Sequence, residues 1–280
     1  MRLRIDLAYD GTDFRGWARQ PGLRTVQGTL EAAIARILGG DPRLVVAGRT
    51  DAGVHASAQV AHLDLTDGQE RRLLSGRRPE PEALAARING VLGPYPDVAV
   101  HRVSVAPEGF DARFSAVWRR YAYRVADRVT GYDPLERGRT TWVAADLDVA
   151  AMDAAARSLR GLHDFAAYCK PREEATTIRT LLEYGWRREE SGVLVASVKA
   201  DAFCHSMVRA LVGACVAVGE GRIGVDRVAE IRDELVRTNE VKVLAARGLT
   251  LTEVGYPADD LLAARAEQTR ARRELGASDD

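Results

Sequence analysis

The chain has 280 residues, of which 46% are apolar and 29% charged, and forty basic side chains balance forty acidic ones. That composition excludes disordered, collagen-like and coiled-coil chains, and zero net charge gives no overall pull toward nucleic acid. Lysine occurs only at Lys170, Lys199 and Lys242, so nearly all the positive charge is arginine. A GC-rich genome accounts for that usage, and so does the fit of a planar guanidinium to phosphate and stacked bases.

Alternation at Leu3, Ile5, Leu7 and Tyr9 marks a half-buried strand, and Asp10-Gly11 turns the chain. Thr25 caps a helix with the stripe Val26, Leu30, Ile34 and Ile37, ended by Gly39-Gly40. Leu44 to Ala47 and Gln59 to Leu65 read as strands flanking the loop GRTDAGVHA. The charged stretch from Gly68 to Glu82 holds Gly and Pro and reads as a surface insertion. A helix from Pro81 to Leu92 and a strand from Val98 to Val105 follow.

The second half repeats this rhythm. Tyr121, Tyr123 and Val125 alternate on a strand, and Asp146 or Asp148 caps a helix running to about Leu159. Val193 to Ala200 is a strand, Phe203 to Val218 the longest apolar helix, Val225 to Val236 an amphipathic one, and Gly248 to Tyr256 a last strand. From Asp259 the charged, Ala-rich tail reads as a solvated or frayed helix. Strands and helices mix without strict βαβ alternation, so the fold class is α+β with antiparallel sheets. The division expected is an N-terminal half 1–106, a C-terminal half 107–257 and a charged tail 258–280.

No apolar stretch reaches the roughly 20 residues a membrane helix needs, and the first residues lack the apolar core of a signal peptide. Three cysteines, an odd number without a CxxC pair, argue against a disulfide framework. These features point to a soluble cytoplasmic protein. The five histidines show no metal-ligand spacing, so no metal site is expected. Gly219 to Gly224 is a literal GxGxxG, but a dinucleotide loop needs a strand before it. The preceding residues keep helical spacing, so these glycines are expected to end one helix and begin another.

The loop Gly48 to Ala56 carries one carboxylate, Asp51, with Arg49 two residues before it and glycines on both sides. Glycine permits close approach of a ligand. An arginine beside a carboxylate keeps it ionised, as a nucleophile or general base requires. A turn with a surface ion pair gives the same spacing. Between Arg113 and Arg128, arginines alternate with Phe114, Trp118, Tyr121 and Tyr123, as in an RNA groove or on one face of a strand.

GRTDAGVHASAQVAHLD resembles the active-site signature of the tRNA pseudouridine synthase A family. YDGTDFRGWARQPGLRTVQGTLEAAI, FDARFSAVWRRYAYRV, GLHDFAAY, SMVRALVGACVAVGEG and ARGLTLTEVGYP are similar to its other motifs, in the same order. The resemblance runs from about Leu3 to Pro257. It implies an isomerase that converts uridine to pseudouridine at positions 38, 39 and 40 of the tRNA anticodon stem-loop, without cofactor or metal. It implies the pseudouridine synthase fold, two pseudo-repeated α+β halves whose sheets join into one, with the RNA cleft between them, and a homodimer. Residue by residue, Asp51 matches the catalytic aspartate, Arg49 the arginine paired with it, Tyr121 the tyrosine that stacks on uracil, and Arg209 an arginine lining the site. Two readings of the residues stay open beside it. One is a non-catalytic RNA-binding protein; the other is a glycoside or nucleoside hydrolase, which would want a second carboxylate.

Overall fold

A computed structural model of the chain describes residues 1–75, 79–94, 96–172 and 176–270. By their internal contacts these form two units, 1–117 with 251–270, and 118–250. The architecture is α+β, as expected.

In the first unit the alternation of the opening residues makes β1 (Arg2–Tyr9), with Leu3, Ile5, Leu7 and Tyr9 all buried. β1 lies between β4 (Val98–Val105) and β3 (His55–Asp64), antiparallel to both, and the short β2 (Leu44–Val46) pairs with β3. Helix α1 (Val26–Leu38) starts where expected, because the Thr25 hydroxyl accepts the Gly28 N–H at 3.2 Å. It stops at Gly39 and Gly40, both at positive φ, which glycine adopts without steric cost. α3 (Ala83–Leu92) lies close to its expected span.

Two expectations need correction here. The first residues of the presumed insertion, 68–74, belong to helix α2 (Asp67–Leu74), started by a capping box in which Thr66 and Gln69 satisfy each other's backbone N–H groups. Positions 76–78 of that stretch lie outside the described residues. The tail is helical as expected over α7 (Leu262–Arg270) and largely exposed, but it is not wholly solvated, because Leu262 packs with Phe110, Val60, Ala47 and Ala112. Its docking is fixed by Ser115, whose hydroxyl donates to the Leu262 carbonyl at 3.0 Å.

The second unit carries the antiparallel order β5 (Trp118–Ala126), β9 (Leu194–Ala200), β8 (Ile178–Arg188) and β7 (Gly161–Asp164), with β6 (Thr141–Trp142) parallel to β5. α4 (Val149–Ser158) is capped by Asp148, which accepts the Ala151 N–H at 3.0 Å. α5 (Met207–Gly219) is buried along its length except at Arg209, and α6 (Arg227–Asp233) follows. α5 begins later than the apolar pattern suggests, because Ser206 sits at φ 66° and breaks the helical run. Gly219 closes α5 and Gly221 turns at φ 70°, so the GxGxxG pattern is a helix end. The last strand, β10 (Leu249–Gly255), has Leu251 to Gly255 grouped with the first unit.

The cysteine expectation is overturned as well. The chain around the 3₁₀ turn Ala166–Tyr168 and the segment before α5 bring Cys169 and Cys204 together as a disulfide, with Cα atoms 5.7 Å apart. An odd count leaves one cysteine over, and that is Cys215, buried in α5 with its thiol pushed up to about 11 by burial.

One ion pair anchors the far end of β8. The Arg188 guanidinium reaches the fully buried Asp127 at 2.7 and 2.9 Å, and Thr130 donates to the same carboxylate through its N–H and hydroxyl. Burial alone would raise the Asp127 carboxyl, but these donors outweigh it and hold it well below the usual carboxylate range. A depressed carboxylate contributes stability that is present above its unfolded value near 4 and is lost as pH falls toward the folded one. Asp127→Asn should therefore cost about 1.5–3 kcal/mol at pH 7, the range for hydrogen bonds to a charged group. In urea titrations the gap to the parent chain should narrow as pH drops below about 4; a gap independent of pH would contradict this.

Candidate active site

Asp51 stands in the loop between β2 and β3, and a second stretch of backbone holds that loop from beneath. The Trp17 N–H donates to the Thr50 carbonyl at 3.0 Å, and the Gly53 N–H to the Phe14 carbonyl at 3.3 Å. The loop closes on itself through the Val54 N–H and the Asp51 carbonyl at 3.2 Å, with Gly53 at φ 76°. Two glycines make this approach possible. A β-carbon on Gly11 would collide with the Val54 carbonyl, and one on Gly16, itself at φ 93°, would come within 2.9 Å of the Thr50 oxygen. The motif YDGTDFRGW is thus the mating surface of the Asp51 loop, and its Phe14 and Trp17 rings are buried behind it.

At the far end of the loop, buried His55 accepts the Gly11 N–H on Nδ1 at 3.0 Å, with an Asp10 carboxylate oxygen 3.1 Å from the same nitrogen. Partial burial pushes the Asp10 carboxyl up, but hydrogen bonds from Thr12 and the nearby His55 bring it below its ordinary value. The Asp51 side chain is half-buried, neither sealed in the core nor waving in solvent. Arg49, two residues before it, is exposed.

The other two expected site residues belong to the second unit. Tyr121 lies on β5 opposite Val198, buried at 8% exposure, and Phe203 meets its ring edge-on with centroids 5.1 Å apart. Arg209 is in the first turn of α5 and donates to the Ser206 hydroxyl at 3.4 Å, while its Nε is buried without a hydrogen-bond partner. Its charge bears on Tyr123, whose hydroxyl burial raises to about 12.

The arginines between 113 and 128 are more occupied than their interleaving suggests. Arg119 is buried and donates to the Asp201 carbonyl at 2.8 Å. Arg120 pairs with Glu183 at 2.7 Å, and Arg124 reaches Glu189 and Glu136 at 3.2 and 3.5 Å. Arg120 and Lys199 both lie over the Trp118 ring, at 5.7 and 4.3 Å. Sequence reasoning missed three residues at the root of the Asp51 loop, Tyr9, Thr50 and Gln59, since a core strand, a loop threonine and a strand glutamine carry no chemical signature of their own. Among the described residues, no group of three or more His, Cys, Asp or Glu could hold a metal ion, and no helix is long and apolar enough to cross a membrane.

A family model described as tRNA pseudouridine synthase matches residues 155–257. The chain is 62% identical to a tRNA pseudouridine synthase A of Leifsonia xyli subsp. xyli, covering 98% of both chains. It is 55% identical to the protein of that name in Frankia casuarinae, over 98% of this chain and 96% of the other, and 52% identical to that of Streptomyces griseus, over 98% and 95%. With such identity over nearly its whole length, this chain belongs to the tRNA pseudouridine synthase A family.

Proposed function

We propose that Asp51 supplies the carboxylate with which this pseudouridine synthase isomerises uridine at positions 38, 39 and 40 of the tRNA anticodon stem-loop. The isomerase activity goes with the family. What supports Asp51 is the clamp on its loop: the residues before and after it are held by backbone hydrogen bonds to Trp17 and Phe14, and its side chain is left half-buried. A group that must act on one atom of a large substrate needs that fixed placement.

The reaction cuts the N-glycosidic bond, turns the uracil and joins its carbon 5 to the sugar, releasing the proton that carbon carried. A carboxylate starts it by adding to the base, attacking the sugar carbon or removing the 2′ proton, and each route needs an anion at the outset. The target nucleotide is paired or stacked, so it must be extruded, at a cost of a few kcal/mol. Tyr121 supplies a face for the extruded uracil, and its hydroxyl stands ready to take part in proton removal from carbon 5. Arg49 helps hold the flipped-out site open, and Arg209 lines the site. The enzyme works as a homodimer in the cytoplasm, with each tRNA touching both copies.

Asp51→Asn keeps the shape of the side chain and removes its charge. Single-turnover release of tritium from carbon 5 of labelled tRNA should fall by several orders of magnitude, while tRNA affinity and melting temperature stay near those of the parent. Near-normal release by this variant would remove Asp51 from the chemistry.

Tyr121→Phe and Tyr121→Ala separate the ring from its hydroxyl. Alanine should lose roughly 1–3 kcal/mol of binding through stacking. Phenylalanine should bind tRNA as the parent does and release tritium more slowly. Equal release rates for Phe and parent would restrict Tyr121 to stacking.

A further inference from the structure

Beneath the Asp51 loop lies a small buried network that the proposed chemistry does not itself use. Tyr9 closes the alternating strand β1 with its ring inside, at 4% exposure, tilted against Trp17 with centroids 6.0 Å apart. Gln59 pairs with Leu7 across β1 and β3, so its side chain shares the face of Leu7 and of Tyr9 two residues on. A bulge between Leu7 and Tyr9 shifts the register there, and such bulges re-aim side chains beside sites.

The hydrogen bonds can be assigned one by one. The Gln59 amide oxygen accepts the Val60 N–H at 3.1 Å, which fixes the amide's orientation. Its nitrogen donates to the Gly48 carbonyl at 2.9 Å and to the Tyr9 hydroxyl at 3.2 Å, using both protons. The Tyr9 oxygen is then an acceptor from Gln59 and shares a second hydrogen bond with the Thr50 hydroxyl, 2.8 Å away, in which either oxygen can donate. All three side chains are buried, Gln59 completely. Thr50 is thereby tied twice, by its hydroxyl to Tyr9 and by its carbonyl to the Trp17 N–H. It is the residue immediately before Asp51.

We infer that Tyr9 is a positioning residue for this reaction, its buried hydroxyl setting the place of Asp51 through Thr50 and Gln59. The inference rests on the assignment of Asp51 as the acting carboxylate. Thr50 with one tether can rotate about its remaining one and carry Asp51 with it. A displacement of about 1 Å at a reacting group costs on the order of a hundredfold in rate. The phenol cannot serve as the base instead: burial raises it to about 12, so it stays protonated at any working pH.

The test uses full-length protein, tRNA transcript tritiated at carbon 5 of uridine, single-turnover release, a tRNA-binding titration and melting curves for each variant. Tyr9→Phe and Thr50→Val should each slow release by on the order of tenfold to a hundredfold, with tRNA affinity unchanged within about twofold. The loss should be the same at pH 6.5 and pH 8.5, since no group that titrates in that range has been removed. Thr50→Ser, which keeps the hydroxyl, should restore most of the rate that Thr50→Val loses. The Tyr9→Phe, Thr50→Val double variant should be no slower than the slower single one, because both remove one hydrogen bond. Release by Tyr9→Phe within twofold of the parent, or fully additive losses in the double variant, overturns the inference. A lowered melting temperature with an unchanged rate in the folded protein assigns the network to stability alone and also overturns it. Should Tyr9→Phe fail to fold, the contrast between Thr50→Val and Thr50→Ser decides. Asp51→Asn measured alongside separates the two questions: an active Asn variant removes the Asp51 reading, whereas an inactive one with a normal Tyr9→Phe removes only this inference.

Discussion

How closely two stretches of backbone can approach one another decides where Asp51 stands. Gly11 and Gly16 have no β-carbon, and each lies where one would strike the 50–54 loop. Only because they are bare can the Trp17 N–H reach Thr50 and the Gly53 N–H reach the Phe14 carbonyl. The aromatic residues between and beside them then fill the space behind, with Phe14 and Trp17 almost wholly buried. A loop already fixed in this way has little conformational freedom left to lose when tRNA binds. Interaction energy with the RNA can then go toward extruding the target base, which itself costs a few kcal/mol.

Much of this was legible in the sequence, and the misses have definite causes. The strand at Leu3 to Tyr9 and the Thr25 cap follow from local pattern and are found in place. The GxGxxG motif reads as a helix end because the thirteen-residue α5 runs up to its first glycine. β8, eleven residues long, went unread: its sequence IRTLLEYGWRR mixes charges into both faces, with Leu181, Tyr184 and Trp186 buried at uneven spacing. A bulge between Leu181 and Glu183 explains the broken period. Helix α2 was taken for an insertion because charge outweighed its single buried leucine, Leu73, although Thr66 and Gln69 spell a capping box. At the site, Asp51 was visible because a carboxylate between glycines has a recognisable chemistry. Its supports were invisible, because Tyr9 and Gln59 gain meaning only when β1 and β3 are paired.

The arginine content illustrates why composition says little about a partner. Thirty-seven of forty basic residues are arginine, yet many serve the fold. Arg119 caps the Asp201 carbonyl, Arg160 donates twice to the Tyr184 carbonyl, and Arg188 holds the buried Asp127. A guanidinium with five donors and a weak hydration shell satisfies internal acceptors that a lysine would leave half-bonded. With net charge zero and many guanidiniums held by internal acceptors, the overall arginine count says nothing of where a nucleic acid would be drawn.

The same economy governs the groups around Asp51. On the proposed reading the isomerisation starts from the Asp51 carboxylate, and a mobile charge among the groups that hold its loop would compete for its proton. The supports beneath the loop are accordingly a phenol, a threonine hydroxyl, a glutamine amide and backbone N–H groups, all neutral. Tyr9 is held protonated by burial, raised to about 12. The other carboxylate at the clamp, Asp10, is occupied by Thr12 and His55 at the loop's opposite end. Neutral hydrogen bonds can fix a carboxylate's position without setting its charge.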